Sequence, residues 1–358
     1  MSHIPEIDAE SQKTVLENAV PLTTRTSTVI LGHMDFFSVL FRLIGMELYK
    51  IRRSTMSKVL GTLTVALALL VTLMVGVEVA INLNTPAGQF VPLCQTQIEG
   101  QGQVGCSLLS STETERIKQA TISGLSEPLR LPESLELAVT QGEFNPAIIL
   151  IIILVGSSAG GELSVGTVRL LFTRGPWRGQ FLLAKYGAAL VCTICGVLGM
   201  ALLGASVGQL FNLLSGVSQN WHFLSAAWFG HALLYLLATM LNWWMYAVVA
   251  IFFGTLGRST AAGIGGALTW FFAEPIISSI LTAAGAFSLG GVSVFLHALP
   301  DYLMGNNARA LQLNQAQYLF GSAGSSQLDL HALITLAVYL TVFIGLTWWL
   351  NESRDVTN

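Results

Sequence analysis

Long apolar runs separated by short polar breaks dominate the chain. Six stretches, residues 59–81, 146–170, 181–210, 227–253, 259–281 and 332–350, each hold about 20 mostly apolar residues. At 1.5 Å rise per residue that is enough to cross a hydrocarbon core of about 30 Å. The second is the least regular: its apolar run ends near Ala159, and Gly160, Gly161 and Glu162 follow. Ahead of the first span, Phe37, Leu40, Phe41, Ile44, Leu48 and Ile51 recur at helical spacing and form one apolar stripe, with Arg42, Lys50 and Arg53 off it. A basic amphipathic helix of this kind lies in the membrane interface with its cations near anionic headgroups. The plainer alternative is a solvated face whose cations only fix topology. The pattern predicts an all-α, polytopic membrane protein with six transmembrane helices and an N-terminal interfacial amphipathic helix.

Four regions follow: a polar N-terminus (1–34), the amphipathic helix (35–56), the six-span domain (57–350) and a short tail (351–358). Residues 1–30 are polar, contain Pro5 and Pro21, and lack the apolar core of a cleavable signal, so the first span is expected to stay as an anchor. Hydrophobic residues make up 53% of the 358 positions and charged residues 10%, against about 25% charged in an ordinary soluble domain. A soluble fold is thereby excluded. Orientation comes from Lys and Arg. With the N-terminus cytoplasmic, of the 17 basic residues only Arg116, Lys118, Arg130 and Arg309 lie outside, a strong positive-inside bias. Both termini are expected in the cytoplasm and the chain in the inner (plasma) membrane, multi-pass. Two loops then face outward, about 82–143 and 284–331. The first is acidic with helix-like stretches near 111–123 and 132–141, the second rich in Gly and Ala. Each is expected to form a small cap of short helices.

Charge is unusually dense for so apolar a chain at about 160–180, between the second and third spans. There Glu162-x3-Gly166-Thr167-x-Arg169-Leu170-Leu171 is followed by Arg174-x-Pro176-x-Arg178 and Lys185. Pro176, with Gly175 and Gly179 beside it, breaks the helix. The spacing predicts a short amphipathic segment on the inner face, and Glu162 is expected to pair with a cation of the amphipathic helix or of its own turn. These residues resemble the signature of type-2 ABC transporter permeases, the membrane subunits of bacterial ABC exporters. The leading helix with Glu47, Lys50 and Arg53, the six spans and the enlarged first outer loop resemble that family's layout. The resemblance implies a coupling helix that docks into a groove of a separate ATPase subunit. It further implies a second permease subunit, identical or not, and ATP and Mg held by the partner rather than by this chain. Arginines around Leu170 and Leu171 suit such docking. The plainer alternative is that they only enforce topology.

No Gly-x4-Gly-Lys-Ser/Thr phosphate loop occurs, so ATP is not cradled here by that route. There is no His-Glu-x2-His, no metal site is expected, and nothing points to nucleic acid. The string Gly204-Ala-Ser206-Val-Gly208 lies inside the third span, where no nucleophile elbow can form. Enzymatic activity is therefore not expected. Glu274, followed by Pro275, sits within the fifth span, where a carboxylate should face protein or water. It belongs either to a translocation path or proton site, or to a capped polar contact near the outer end of a broken span. Cys94 and Cys106 share the first outer loop and could form a disulfide, whereas Cys192 and Cys195 read as packing residues. Small residues four apart, Gly204 with Gly208 and Ala262 with Gly266, favour close helix approach within the subunit, or secondly at a dimer seam. Two alternatives to the permease stand: a secondary transporter using Glu274 as an ion or proton site, and a membrane enzyme or sensor, which lacks a catalytic constellation.

Overall fold

In hydrocarbon every backbone N–H and C=O must be satisfied within the chain, which drives the apolar runs of this sequence into helices. A computed structural model describes residues 36–86, 94–99, 103–108, 110–140, 145–165, 177–215, 223–287 and 290–353. The chain divides into two units, Met1–Ser38 and Val39–Asn358. Of the first, the described part is the opening of a helix, residues 36–38.

Helix α1 (Phe36–Arg53) is the amphipathic segment and α2 (Thr55–Asn84) the first span. A single residue separates them. Ser54 is extended (φ −62°, ψ 130°), and its Oγ accepts from the Ser57 N–H at 3.4 Å, so one serine ends the first helix and caps the second. An antiparallel hairpin follows, β1 (Cys94–Glu99) with β2 (Gln103–Leu108). Then come α3 (Ser111–Ser126), α4 (Glu133–Thr140), α5 (Pro146–Val165), α6 (Arg178–Ser215), α7 (Ala226–Gly257) and α8 (Thr260–Phe287). The chain closes with α9 (Gly291–Ala298), α10 (Met304–Phe320) and α11 (Asp329–Ser353).

Five of these helices, α2, α6, α7, α8 and α11, are long and apolar enough to cross a membrane, and the protein is a multi-pass membrane protein. The expected second span corresponds to α5, whose apolar stretch is described over Pro146–Glu162, about 25 Å at 1.5 Å per residue and at the short limit for a crossing. The helix is described to Val165, and residues 166–170 of the expected span lie outside the described residues. The architecture is helical as expected, apart from the hairpin in the first large loop. The loop helices anticipated near 111–123 and 132–141 are α3 and α4.

Helix α7 is the hub, packed by α5, α6, α8, α10 and α11. Trp243, Met245 and an unbroken run from Ala247 to Ile251 are buried along it. Helix α2 lies at the periphery, with Leu63, Leu69, Leu73, Met74 and Ile81 uncovered by protein. Three helices meet almost backbone to backbone. A side chain at Gly156 would lie 3.0 Å from the Gly263 carbonyl carbon, one at Gly263 2.9 Å from the Gly156 oxygen, and one at Gly160 would overlap the Ser259 carbonyl. Only glycine permits that approach. Gly204 and Gly208, singled out from the sequence, serve another contact within the subunit: both face Ser134 of α4, and Gly204 also faces Ala138. Helix α6 has 38 residues, about 57 Å, so it outruns a bilayer and carries α4 at its far end.

Candidate functional site

Two polar sites stand at opposite ends of the bundle. At the first, α1, the end of α5, the start of α6 and the corner between α7 and α8 gather; we call this the basic end. The i,i+3 spacing of Glu47 and Lys50 turns both side chains to one flank of α1, and Lys50 Nζ lies 3.0 Å from Glu47 Oε1. The same ammonium donates to Glu162 Oε1 of α5 at 2.7 Å. Lys185 Nζ of α6 lies 2.8 Å from Glu162 Oε2 and 3.6 Å from Glu47 Oε2. Two acids and two bases thus alternate around a ring that ties three helices together. Lys185 is buried, its side chain 6% exposed, and sits 4.7 Å over the Phe181 ring. Lys50 is half exposed at 52%. Burial works against its charge, but the Glu162 hydrogen bond and the charges of Glu47 and Glu162 outweigh it and hold Lys50 above its ordinary pKa.

Glu162 therefore finds a cation of the leading helix, one of the two pairings expected, and Lys185 joins it. Arg42 and Arg53 stay on the exposed flank of α1, Arg53 over the Tyr49 ring at 5.4 Å. The apolar stripe is shared: Leu40, Ile44, Leu48 and Ile51 are partly covered, and Phe41 is bare. Gly166, Thr167, Arg169, Leu170, Arg174 and Pro176 lie outside the described residues. The segment they occupy emerges at an exposed Trp177, whose N–H donates to Gln180 Oε1 at 3.1 Å. Arg178 then docks on the last turn of α11: its guanidinium donates to the Glu352 carbonyl at 3.5 Å, and Asn351 Nδ2 donates back to the Arg178 carbonyl at 3.2 Å. Gly179 lies against the Trp348 ring, where a side chain would collide. The charged turn is thus rooted at both ends, in the ion-pair ring at Glu162 and in α11 at Arg178.

The second site opens toward the end bearing α4. Glu274 is buried, 5% exposed, and Oε1 accepts from the Gly305 N–H at 2.7 Å. Its other oxygen, Oε2, has no partner of good hydrogen-bond geometry, although the buried indole N–H of Trp270 lies beside the carboxylate, and Asn242 Oδ1 is likewise buried without a partner. Glu274 and Asn242 line a small chamber of about 60 Å³ with Asn145, Tyr246, Pro275 and Gly305. Gly305 must be glycine: a Cβ would sit 2.8 Å from the Tyr246 hydroxyl and 3.1 Å from Glu274 Oε2. Thr140, Arg309 and Gln312 line both this chamber and a vestibule of about 710 Å³ that also presents Glu127, Glu133, Glu136 and Tyr235. Burial raises the pKa of Glu133, with the Glu127 charge adding to it and its own backbone hydrogen bond opposing. Burial and the Glu133 charge raise that of Glu136.

Glu274 was expected to face protein or water; it faces both the first turn of α10, where it accepts from the Gly305 N–H, and the polar chamber, from an α8 that continues through Pro275. What the sequence reading missed is α10. Its Asn307, Gln312 and Gln315 are buried. Asn242 Nδ2 donates to Gln312 Oε1 at 3.0 Å, and Gln312 Nε2 to Thr239 Oγ1 at 2.9 Å. The available signal was a helix-length run of amides after Gly305, free of further Gly or Pro. The backbone register sets Cys94 opposite Leu108 and Cys106 opposite Thr96, and the side chains of both cysteines lie outside the described residues.

No curated protein matches the chain. Residues 132–357 match the family DUF2705, described as "Protein of unknown function", a span that takes in the chamber, most of the vestibule and both roots of the charged turn, but not α1 or α2. Because that match covers well over half of its length, the chain belongs to the DUF2705 family.

Proposed function

We propose that this protein is the membrane-spanning permease subunit of an ATP-driven transporter of the ABC type, working as an exporter. A separate ATPase subunit binds ATP and Mg, and a second permease subunit completes the pathway. Both termini and the basic end face the cytoplasm, and the vestibule faces outward. The observation that carries the reading is the rooting of the charged turn. A loop that hung free would absorb a push from a motor subunit. This one is tied through Glu162 to Lys50 and Lys185, and through Arg178 to α11, so displacement of residues 166–176 must be felt by α1, α5, α6 and α11 together. In this reading Arg169, Arg174 and Arg178 meet acidic rim groups of the ATPase, Leu170 enters its groove, and α1 slides in the interface. The resemblance of 162–185 to type-2 ABC permeases supports the same assignment.

The test is reconstitution with the ATPase captured from the native membrane. Arg174→Glu with Arg178→Glu is expected to retain folding but to abolish transport-linked ATP turnover. Full transport and full ATPase binding by that double variant would remove the assigned role of the turn. Glu274 Oε2, without a partner of good geometry, favours a second reading, a stand-alone secondary transporter that uses Glu274 for an ion or proton. Ion-driven flux in vesicles lacking any ATPase would select it.

A further inference from the structure

We infer that the vestibule and its inner chamber bind an organic cation of the primary-amine class, with the ammonium group seated against Glu274 Oε2 and Asn242 Oδ1. Two acceptors of the chamber are left over although donors stand nearby, the Arg309 guanidinium, the Tyr246 hydroxyl and the buried indole N–H of Trp270 beside Glu274. Glu274 and Asn242 are 5% and 8% exposed, and each leaves a buried oxygen without a hydrogen-bond partner of good geometry. The hydroxyl of Tyr246 converges on the same point, since a Cβ placed on Gly305 would touch both it and Glu274 Oε2. Unpaired acceptors in a buried site are costly, so an arrangement that keeps them implies something that comes to them. An ammonium head carries three N–H donors and one positive charge, matching these three oxygens and the carboxylate. A water could satisfy the hydrogen bonds but not the charge. A hard metal ion asks for about six oxygen ligands, more than this wall presents.

Size and charge define the rest of the ligand. A chamber of about 60 Å³ is several times the ~10–15 Å³ that admits a water. It takes an ammonium group and its first carbons, and not a whole organic molecule. The body must remain in the 710 Å³ vestibule, among Glu127, Glu133 and Glu136. The described lining residues of the two spaces carry four carboxylates against one guanidinium, that of Arg309. The field there favours positive charge, and a second ammonium on the ligand would find partners at the rim. Export of such a cation rests on the permease reading above; its binding does not.

The experiment uses the full chain, purified into phosphatidylcholine nanodiscs without any ATPase, and isothermal titration with 1,4-diaminobutane, 1-aminobutane, 1,4-butanediol, NaCl and KCl. Saturable binding of both amines is expected, the diamine tighter, with none for the diol. Glu274→Gln is expected to weaken both amines about tenfold or more, as loss of a charged hydrogen-bond partner does. Glu133→Gln with Glu136→Gln should cut the advantage of the diamine over the monoamine while leaving the monoamine unchanged. That pair keeps the test alive should Glu274→Gln fail to fold. Absent amine binding, equal binding of the diol or of Na⁺ or K⁺, unchanged affinity in a folded Glu274→Gln protein, or an undiminished diamine advantage in the double variant each overturns the assignment. Failure here strikes the ligand alone, whereas failure to capture an ATPase strikes the permease reading alone.

Discussion

Replacing Lys185 with methionine isolates what the ion-pair ring contributes, because methionine keeps the length and apolar stem of lysine and removes only the charge. The ammonium lies 2.8 Å from Glu162 and 3.6 Å from Glu47 with its side chain 6% exposed. At an effective dielectric constant of about 20, each attraction is roughly 5 kcal/mol before desolvation is subtracted. Breaking a buried pair by removing one partner costs about 3–5 kcal/mol, since the remaining charge stays uncompensated. In Lys185→Met both carboxylates must share Lys50. Taking about 3 kcal/mol, and an unfolding entropy of about 2.1 cal/mol/K per residue over 358 residues, the thermal midpoint should fall by roughly 4 °C. Lys50→Met is the contrast. Its side chain is 52% exposed, water can replace it, and a loss below about 1 kcal/mol is expected, or roughly 1 °C. Tryptophan fluorescence on heating in nanodiscs reads both. If Lys50→Met destabilises as much as Lys185→Met, or if Lys185→Met leaves the midpoint in place, the ring is not held together at its buried member and the reasoning fails.

Three further outcomes can be checked. Gly160→Ala should cost about 1–3 kcal/mol by forcing α5 from the α7–α8 corner, while Gly345→Ala, with nothing within 4 Å, should be neutral or slightly stabilising; melting curves separate the two. Gly208→Val should push α4 off α6 at Ser134 and speed hydrogen exchange over residues 133–140 without changing exchange in α8. Glu133 and Glu136 are held above the ordinary carboxylate range, so their contribution is fully present below that range and is lost as pH rises through the raised values. Exchange protection of α4 should accordingly be greater near about pH 4 than near about pH 7, and Glu133→Gln with Glu136→Gln should flatten the difference.

The spans were legible because hydrocarbon imposes length and apolarity directly on sequence, and α2, α6, α7, α8 and α11 bracket the expected segments to within a few residues. The interfacial helix was legible from its stripe, but not its anchoring: Glu47 reads as an ordinary polar residue until Lys185, far along the chain, is brought 3.6 Å away. The glycines that matter most for packing are Gly156, Gly160 and Gly263; Gly156 and Gly160 stand four apart just as Gly204 and Gly208 do, and that spacing announces close approach without naming the partner or how near it comes. Helix α10 was hidden for a deeper reason. Its buried face is amide-rich and no long apolar run marks it, so only the polar walls of α7 and α8 opposite it make burial favourable, and a linear pattern holds no record of those walls.

The ion-pair ring sums to no charge, and that has an electrical consequence. Carrying one elementary charge through a full membrane potential of 100 mV takes about 2.3 kcal/mol. The four side chains Glu47, Lys50, Glu162 and Lys185, travelling together, contribute no such work however far they go. The ring can therefore shift in an energised cell as readily as in a depolarised vesicle, and voltage acts on this joint through the cations outside the ring, Arg42, Arg52 and Arg53 of α1 among them.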